Sequence, residues 1–87
     1  MIIDMICDLY DGFKWSKSDA MKYIAEWQDT LDPKLVADIY FALDRDDYKT
    51  FKTACLDYMT TYGYEGSIAW KKFKAMPIKD IKAMFNV

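Results

Sequence analysis

The sequence predicts an all-α fold: a single small domain, residues 1–87, built as an irregular bundle of five or six short helices. Apolar residues recur at spacings of three and four along most of the chain, which is the period of an amphipathic helix. The alternation of apolar and polar residues that is typical of a strand is absent, apart from a few short chance matches. Proline, glycine, serine and aspartate fall where the apolar stripes begin or end. A chain of 87 residues is the size of one domain.

The longest predicted helix covers residues 48–62 and carries the main apolar stripe. Asp47 is suited to cap its first turn, and Gly63 can end it in a left-handed conformation. We expect this helix to be the central packing surface. Its stripe consists of Tyr48, Phe51, Cys55, Tyr58 and Tyr62, with Ala54 and Met59 beside them.

Shorter stripes predict the other helices. Ser16 or Ser18 caps the second helix, and Asp32 caps the third. Pro33 and Pro77 are expected at the first helical position of the third and sixth helices. The predicted ranges are residues 2–10, a second helix ending near Gln28, residues 33–43, 68–75 and 77–85.

Several large apolar side chains are assigned to the core. Phe13 and Trp15 lie in the connection after the first helix, and we expect them to plug the core. Phe41 is expected to extend the stripe of the third helix, and Ile68 to point inward from the fifth. Aromatic residues make up 17% of the chain, more than one small core is expected to hide. Half-buried tyrosines would account for part of this surplus, and a partner-binding surface for the rest.

The residue types argue against catalysis, a cofactor or a metal. Histidine is absent, which removes the commonest general base and metal ligand. The acidic run from Asp44 fails as a calcium loop, because Lys49 and Cys55 stand where glycine and glutamate are needed. Asp29 with Asp32 suits a helix boundary better than an active site. We therefore predict a non-enzyme, with a carboxylate–metal enzyme as a distant option.

Two further observations concern location and redox state. The first residues include acids where a secretory leader would be basic, and no apolar run approaches a membrane span. A cytoplasmic location without membrane contact is the expectation. Cys7 and Cys55 lie in apolar stripes and are interpreted as reduced core residues.

Charge is distributed unevenly along the chain, although the net charge is only −2. Residues 1–47 carry 5 Lys/Arg and 11 Asp/Glu, whereas residues 48–87 carry 7 Lys and 3 Asp/Glu. Asp4, Asp8 and Asp11 align on one side of the first helix, as a solvated face or as a strip that meets a basic partner. Near the C-terminus, lysines alternate with aromatic residues: Tyr64, Trp70, Lys71, Lys72, Phe73, Lys74, Lys79 and Lys82.

These features favour a non-enzymatic protein-binding module. A phage or mobile-element inhibitor of anti-CRISPR type, which occludes a host protein surface, is one hypothesis. The alternative is a nucleic-acid-binding protein that uses the C-terminal lysines and aromatics, although the chain's single arginine, Arg45, makes sequence-specific DNA binding unfavourable. A homodimer through exposed aromatics is also considered. The contact candidates are Tyr64, Trp70, Lys71, Lys74, Asp4, Asp8 and Asp11.

Overall fold

The computed structural model describes residues 2–27 and 32–85, and within them it confirms the all-α prediction. The described part of the chain forms six helices and no strand. The helices are α1 (Ile2–Tyr10), α2 (Lys17–Glu26), α3 (Pro33–Asp44), α4 (Tyr48–Thr61), α5 (Ile68–Ala75) and α6 (Ile78–Met84).

Side-chain caps fix most of the helix starts where the sequence predicts them. The hydroxyl oxygen of Ser16, rather than Ser18, accepts a hydrogen bond from the Asp19 amide at 3.0 Å. Asp32 and Asp47 cap α3 and α4 in the same way. Gly63 has a φ of 84° and follows the end of α4, as expected. The predicted end of the second helix, Gln28, lies outside the described residues.

The predicted position of Pro77 is wrong. Pro77 is the N-cap of α6, with ψ at 151°, instead of its first helical residue. The preceding Met76 is also extended, as the proline ring requires of the residue before it. Lys52 donates a hydrogen bond to the Met76 carbonyl at 2.7 Å. Two extended residues thus separate α5 from α6, and α4 holds the joint between them.

α1 and α4 are the two helices against which the other four pack. α5 and α6 both pack on α1 and on α4, with little contact between each other. On the other side of the molecule, α2 packs on α1, α3 packs on α4, and α2 packs on α3. α1 and α4 therefore face each other across a core that the other helices enclose.

The stripe of α4 lies in this core, as the sequence predicts. Phe51, Cys55 and Tyr58 have no exposed surface. Burial raises the pKa of the Cys55 thiol, so this cysteine stays protonated. Cys7, by contrast, is only half-buried.

Three side chains assigned to the core lie at the surface instead, and those predictions are wrong. Phe13 is 64% exposed because it follows the turn at Gly12, while Trp15 occupies the space beside α1. Phe41 is 52% exposed, because Ala42 and the other buried residues of α3 define a different side of that helix.

Ile68 is 73% exposed, and the geometry of α5 explains why. Phe73 is the buried residue of this helix and sets its inner side. Ile68 precedes Phe73 by five residues, which turns it by about 140° from the inner side at roughly 100° per residue. Ile68 therefore points away from the core.

We expect Phe73→Ala to lower the free energy of unfolding by about 3–5 kcal/mol, because it removes a fully buried ring from a small core. Phe13→Ala removes the same atoms from an exposed site and should change the free energy of unfolding by less than about 0.5 kcal/mol. Urea unfolding followed by circular dichroism measures both. Similar losses for the two variants would contradict the assignment of Phe73 to the core.

Candidate partner-binding face on α1 and α2

The predicted acidic residues of α1 all lie away from the core. Asp4 and Asp11 are exposed, and Asp8 is half-buried. The carboxylate of Asp8 accepts a hydrogen bond from the indole Nε1 of Trp15 at 3.1 Å. Asp8 is therefore held in a fixed orientation by a neighbouring aromatic ring.

A row of three half-buried aromatic residues lies beside these carboxylates. The ring centroids of Trp15 and Tyr23 are 5.2 Å apart, and those of Tyr23 and Trp27 are 6.3 Å apart with the planes near perpendicular. Both distances suit favourable aromatic pairs. We call Trp15, Tyr23 and Trp27 the aromatic row.

Sequence reasoning missed the aromatic row. The four-residue spacing of Tyr23 and Trp27 was available as a signal, because it places them on one side of a helix. Trp15 comes from the preceding connection, and its backbone amide donates to the Met84 carbonyl at 3.0 Å, at the end of α6. This tertiary contact places Trp15 next to α2 and has no local signature.

The electrostatics of the aromatic row are dominated by acids. The pKa of Tyr23 is raised, first by burial and then by the negative charges of Asp4, Asp8 and Glu26. The carboxylates come from two helices, α1 and α2. They place the row in a negative field that favours a positively charged ligand group.

The predicted lysine and aromatic contacts on α5 occupy two sides of that helix. Lys74 Nζ lies 4.6 Å from the ring centroid of Trp70, and Lys72 Nζ lies 5.4 Å from the ring centroid of Tyr10 on α1. Both distances fit cation–π contacts. Lys71 is exposed between these two sides, and Tyr64 is half-buried in the turn before α5.

The remaining lysines of the C-terminal patch belong to a separate cleft. Lys79 and Lys82 line a cleft of about 350 Å³ together with Tyr48, Ala83 and Phe85. The rings of Tyr48 and Phe85 stack at 5.9 Å but are only 9% and 6% exposed. The structure thus divides the predicted patch between α5 and α6.

Metal-binding clusters and membrane-spanning helices are both absent from the described ranges, residues 2–27 and 32–85. No group of three or more Cys, Asp or Glu side chains there could hold a metal ion. No helix in the same ranges has the length and apolar character to cross a membrane. Asp29, one of the carboxylates considered in the sequence, lies outside the described residues.

Comparison of the chain with protein-family models, with curated proteins and with solved structures finds no match. The candidate site therefore depends on the geometry of the chain itself. Its members are Asp4, Asp8, Glu26 and the aromatic row.

We expect Asp4→Asn to lower the pKa of Tyr23 toward its ordinary value, because Asp4 is the negative charge that raises this pKa most. Titration of the ¹³Cζ resonance of Tyr23 measures the shift. Asp57→Asn, on α4, is the control and should leave this pKa unchanged. A Tyr23 pKa that is insensitive to Asp4→Asn would contradict the proximity of the acids to the row.

Proposed function

We propose that this chain is a protein-binding module whose α1–α2 face binds a basic surface of a partner protein. The observation that carries the proposal is the hydrogen bond of the Asp8 carboxylate with Trp15 at 3.1 Å in the aromatic row, where Asp4, Asp8 and Glu26 also raise the pKa of Tyr23. Tryptophan and tyrosine are enriched among the residues that dominate binding energy at protein interfaces. Arginine and lysine bind aromatic faces and carboxylates, so a basic partner satisfies both features.

The site is suited to binding because part of it is already ordered. The hydrogen bond from Trp15 to Asp8 fixes both side chains before any partner arrives, which reduces the entropy lost on association. Phe13, 64% exposed, adjoins Trp15 in the same connection and adds apolar surface. Binding of this kind acts by covering the partner's surface. A phage or mobile-element inhibitor of anti-CRISPR type is one form of it and stays a prediction.

Nucleic-acid binding through the lysines is the second candidate. Lys71, Lys72 and Lys74 are exposed, and Lys72 and Lys74 lie over aromatic rings, which is the composition of a single-strand binding surface. The cleft with Lys79 and Lys82 is less suitable, because its aromatic rings are too buried to stack on bases. The division of the lysines between α5 and α6 leaves a shorter track for a phosphate backbone.

Titration with an arginine–glycine peptide tests the proposal through the three indole Nε1–H resonances. We expect those of Trp15 and Trp27 to shift and that of Trp70, which is on α5, to stay in place. Asp8→Asn combined with Glu26→Gln keeps the side-chain shapes and should weaken binding about fivefold, a loss of ~1 kcal/mol for exposed charge pairs.

The matched control is Asp38→Asn combined with Asp57→Asn, which removes two exposed carboxylates from α3 and α4 and should leave the affinity unchanged. A glutamate–glycine peptide should produce no shift. The proposal is overturned if the basic peptide leaves the Trp15 and Trp27 resonances unmoved. A shift of Trp70 with a single-stranded oligonucleotide, lost at high salt, would then favour the second candidate.

A further inference from the structure

The cleft of about 350 Å³ between the start of α4 and α6 is separate from the proposed partner-binding face. We call it the α4–α6 cleft. No residue of α1 or α2 lines it. Its volume falls at the lower end of the range for ligand pockets, which is about 300–1,000 Å³, so it suits a small molecule. The lining residues are Tyr48, Lys79, Lys82, Ala83 and Phe85.

Two lysines give this cleft its charge. Lys79 and Lys82 are exposed and lie three residues apart on α6, which places them on neighbouring positions of one side of the helix. In the part of the chain that the structure describes, neither ammonium group donates a hydrogen bond or forms an ion pair. Asp80 also lies on α6, but at roughly 100° per residue it points about 100° away from Lys79 and about 160° away from Lys82.

The other acid close to the cleft, Asp46, is already engaged. Its carboxylate Oδ1 accepts hydrogen bonds from Lys17 Nζ at 3.1 Å and from the Tyr48 hydroxyl at 3.3 Å. The pKa of Asp46 is lowered mainly by the hydrogen bond with Lys17, and the charge of Lys82 adds to this shift. Asp46 does not line the cleft. The side chains that do line it therefore carry two positive charges and no negative one.

The rest of the cleft is largely apolar. Ala83 is exposed and contributes a methyl group. The stacked rings of Tyr48 and Phe85 are almost fully buried, so only a small part of each reaches the cleft. The hydroxyl of Tyr48 donates to Asp46. A molecule in the cleft would thus meet two cations together with a methyl group and parts of two rings.

We propose that the α4–α6 cleft binds a small phosphate monoester that carries an apolar substituent. A phosphate monoester has a charge of about −1.5 to −2 at pH 7, which matches the two lysines, whereas a carboxylate has a charge of only −1. Its oxygens accept charge-assisted hydrogen bonds from both ammonium groups. The apolar substituent covers Ala83 and the accessible parts of the rings. This site goes beyond the proposed function, because it is formed by α4 and α6.

The same geometry favours a single phosphate group over a nucleic-acid strand in this cleft. A strand is bound through a series of phosphate contacts and through bases that stack on open ring faces. The cleft has only two lysines, and the faces of its rings are buried against each other and the core. Lys71 and Lys74, on α5, do not line it.

Titration with phenyl phosphate, followed by nuclear magnetic resonance, tests the site. We expect the amide resonances of Lys79 and Lys82 and the methyl resonance of Ala83 to shift, while the indole resonances of Trp15 and Trp27 stay in place. Benzyl alcohol has the ring without the charge, and inorganic phosphate has the charge without the ring. Each should bind at least about fivefold more weakly than phenyl phosphate, because it makes only one of the two kinds of contact.

Two variants test the charge and the space of the cleft separately. Lys79→Gln combined with Lys82→Gln should weaken the binding of phenyl phosphate about tenfold, because both cations are lost. Ala83→Leu keeps both lysines and fills the apolar part of the cleft, so it should also weaken binding. Lys71→Gln combined with Lys74→Gln, on α5, is the matched control and should leave the affinity unchanged. All five substituted residues are exposed, and circular dichroism checks that each variant folds.

Three results would overturn the proposal. The first is phenyl phosphate that leaves the resonances of Lys82 and Ala83 unmoved. The second is inorganic phosphate that binds as tightly as phenyl phosphate, since the lysines would then attract any anion without a contribution from the cleft. The third is an affinity that Ala83→Leu does not change. The first two comparisons use the unchanged chain, so they decide the question even if a variant fails to fold.

Discussion

The structure depends on one constraint, which is that its helices are too short to be stable outside a shared core. The longest, α4, has 14 residues, and α6 has 7. Isolated helices shorter than about 12–15 residues are marginal in water, so tertiary packing must supply the stability. The stripe of α4 and the buried residues of α1 belong to one core. Every other helix packs against α1, α4 or both. α2 and α3 also pack against each other.

This constraint also determines where the binding candidates lie. Ile2, Ile6 and Leu9 are fully buried and fix the rotation of α1 about its axis. That rotation directs Asp8 toward α2 and Tyr10 toward α5. Two chemically different surfaces on the two sides of α1 thus follow from the packing of one short helix. Asp4 and Asp11 are exposed and are not among the residues of the core.

The predictability of the chain differs between its elements for physical reasons. Helix starts such as those at Asp32 and Asp47 were predictable because capping is a local interaction between a side chain and amides two or three residues away. The orientation of α5 about its axis was not predictable from the sequence, because this helix of 8 residues has more apolar side chains than its inner side can accept. Phe73 occupies the core, and Ile68 is left outside. The position of Trp15 depends on a bond to Met84, far away in sequence, which no local pattern encodes.

The acidic half of the sequence, residues 1–47, and the basic half, residues 48–87, are interleaved by the fold. α1, from the acidic half, packs against α5, from the basic half, so opposite charges meet along a border. Exposed pairs such as Lys17 with Asp46, at 3.1 Å, contribute little to stability. Solvation alone would explain acids that have no fixed orientation. It does not explain Asp8, whose carboxylate is held by an indole donor next to two further aromatic rings. Because the Asp8 carboxylate is ordered among half-buried aromatics, we propose the α1–α2 face, rather than the lysines of α6, as the surface that binds a partner protein.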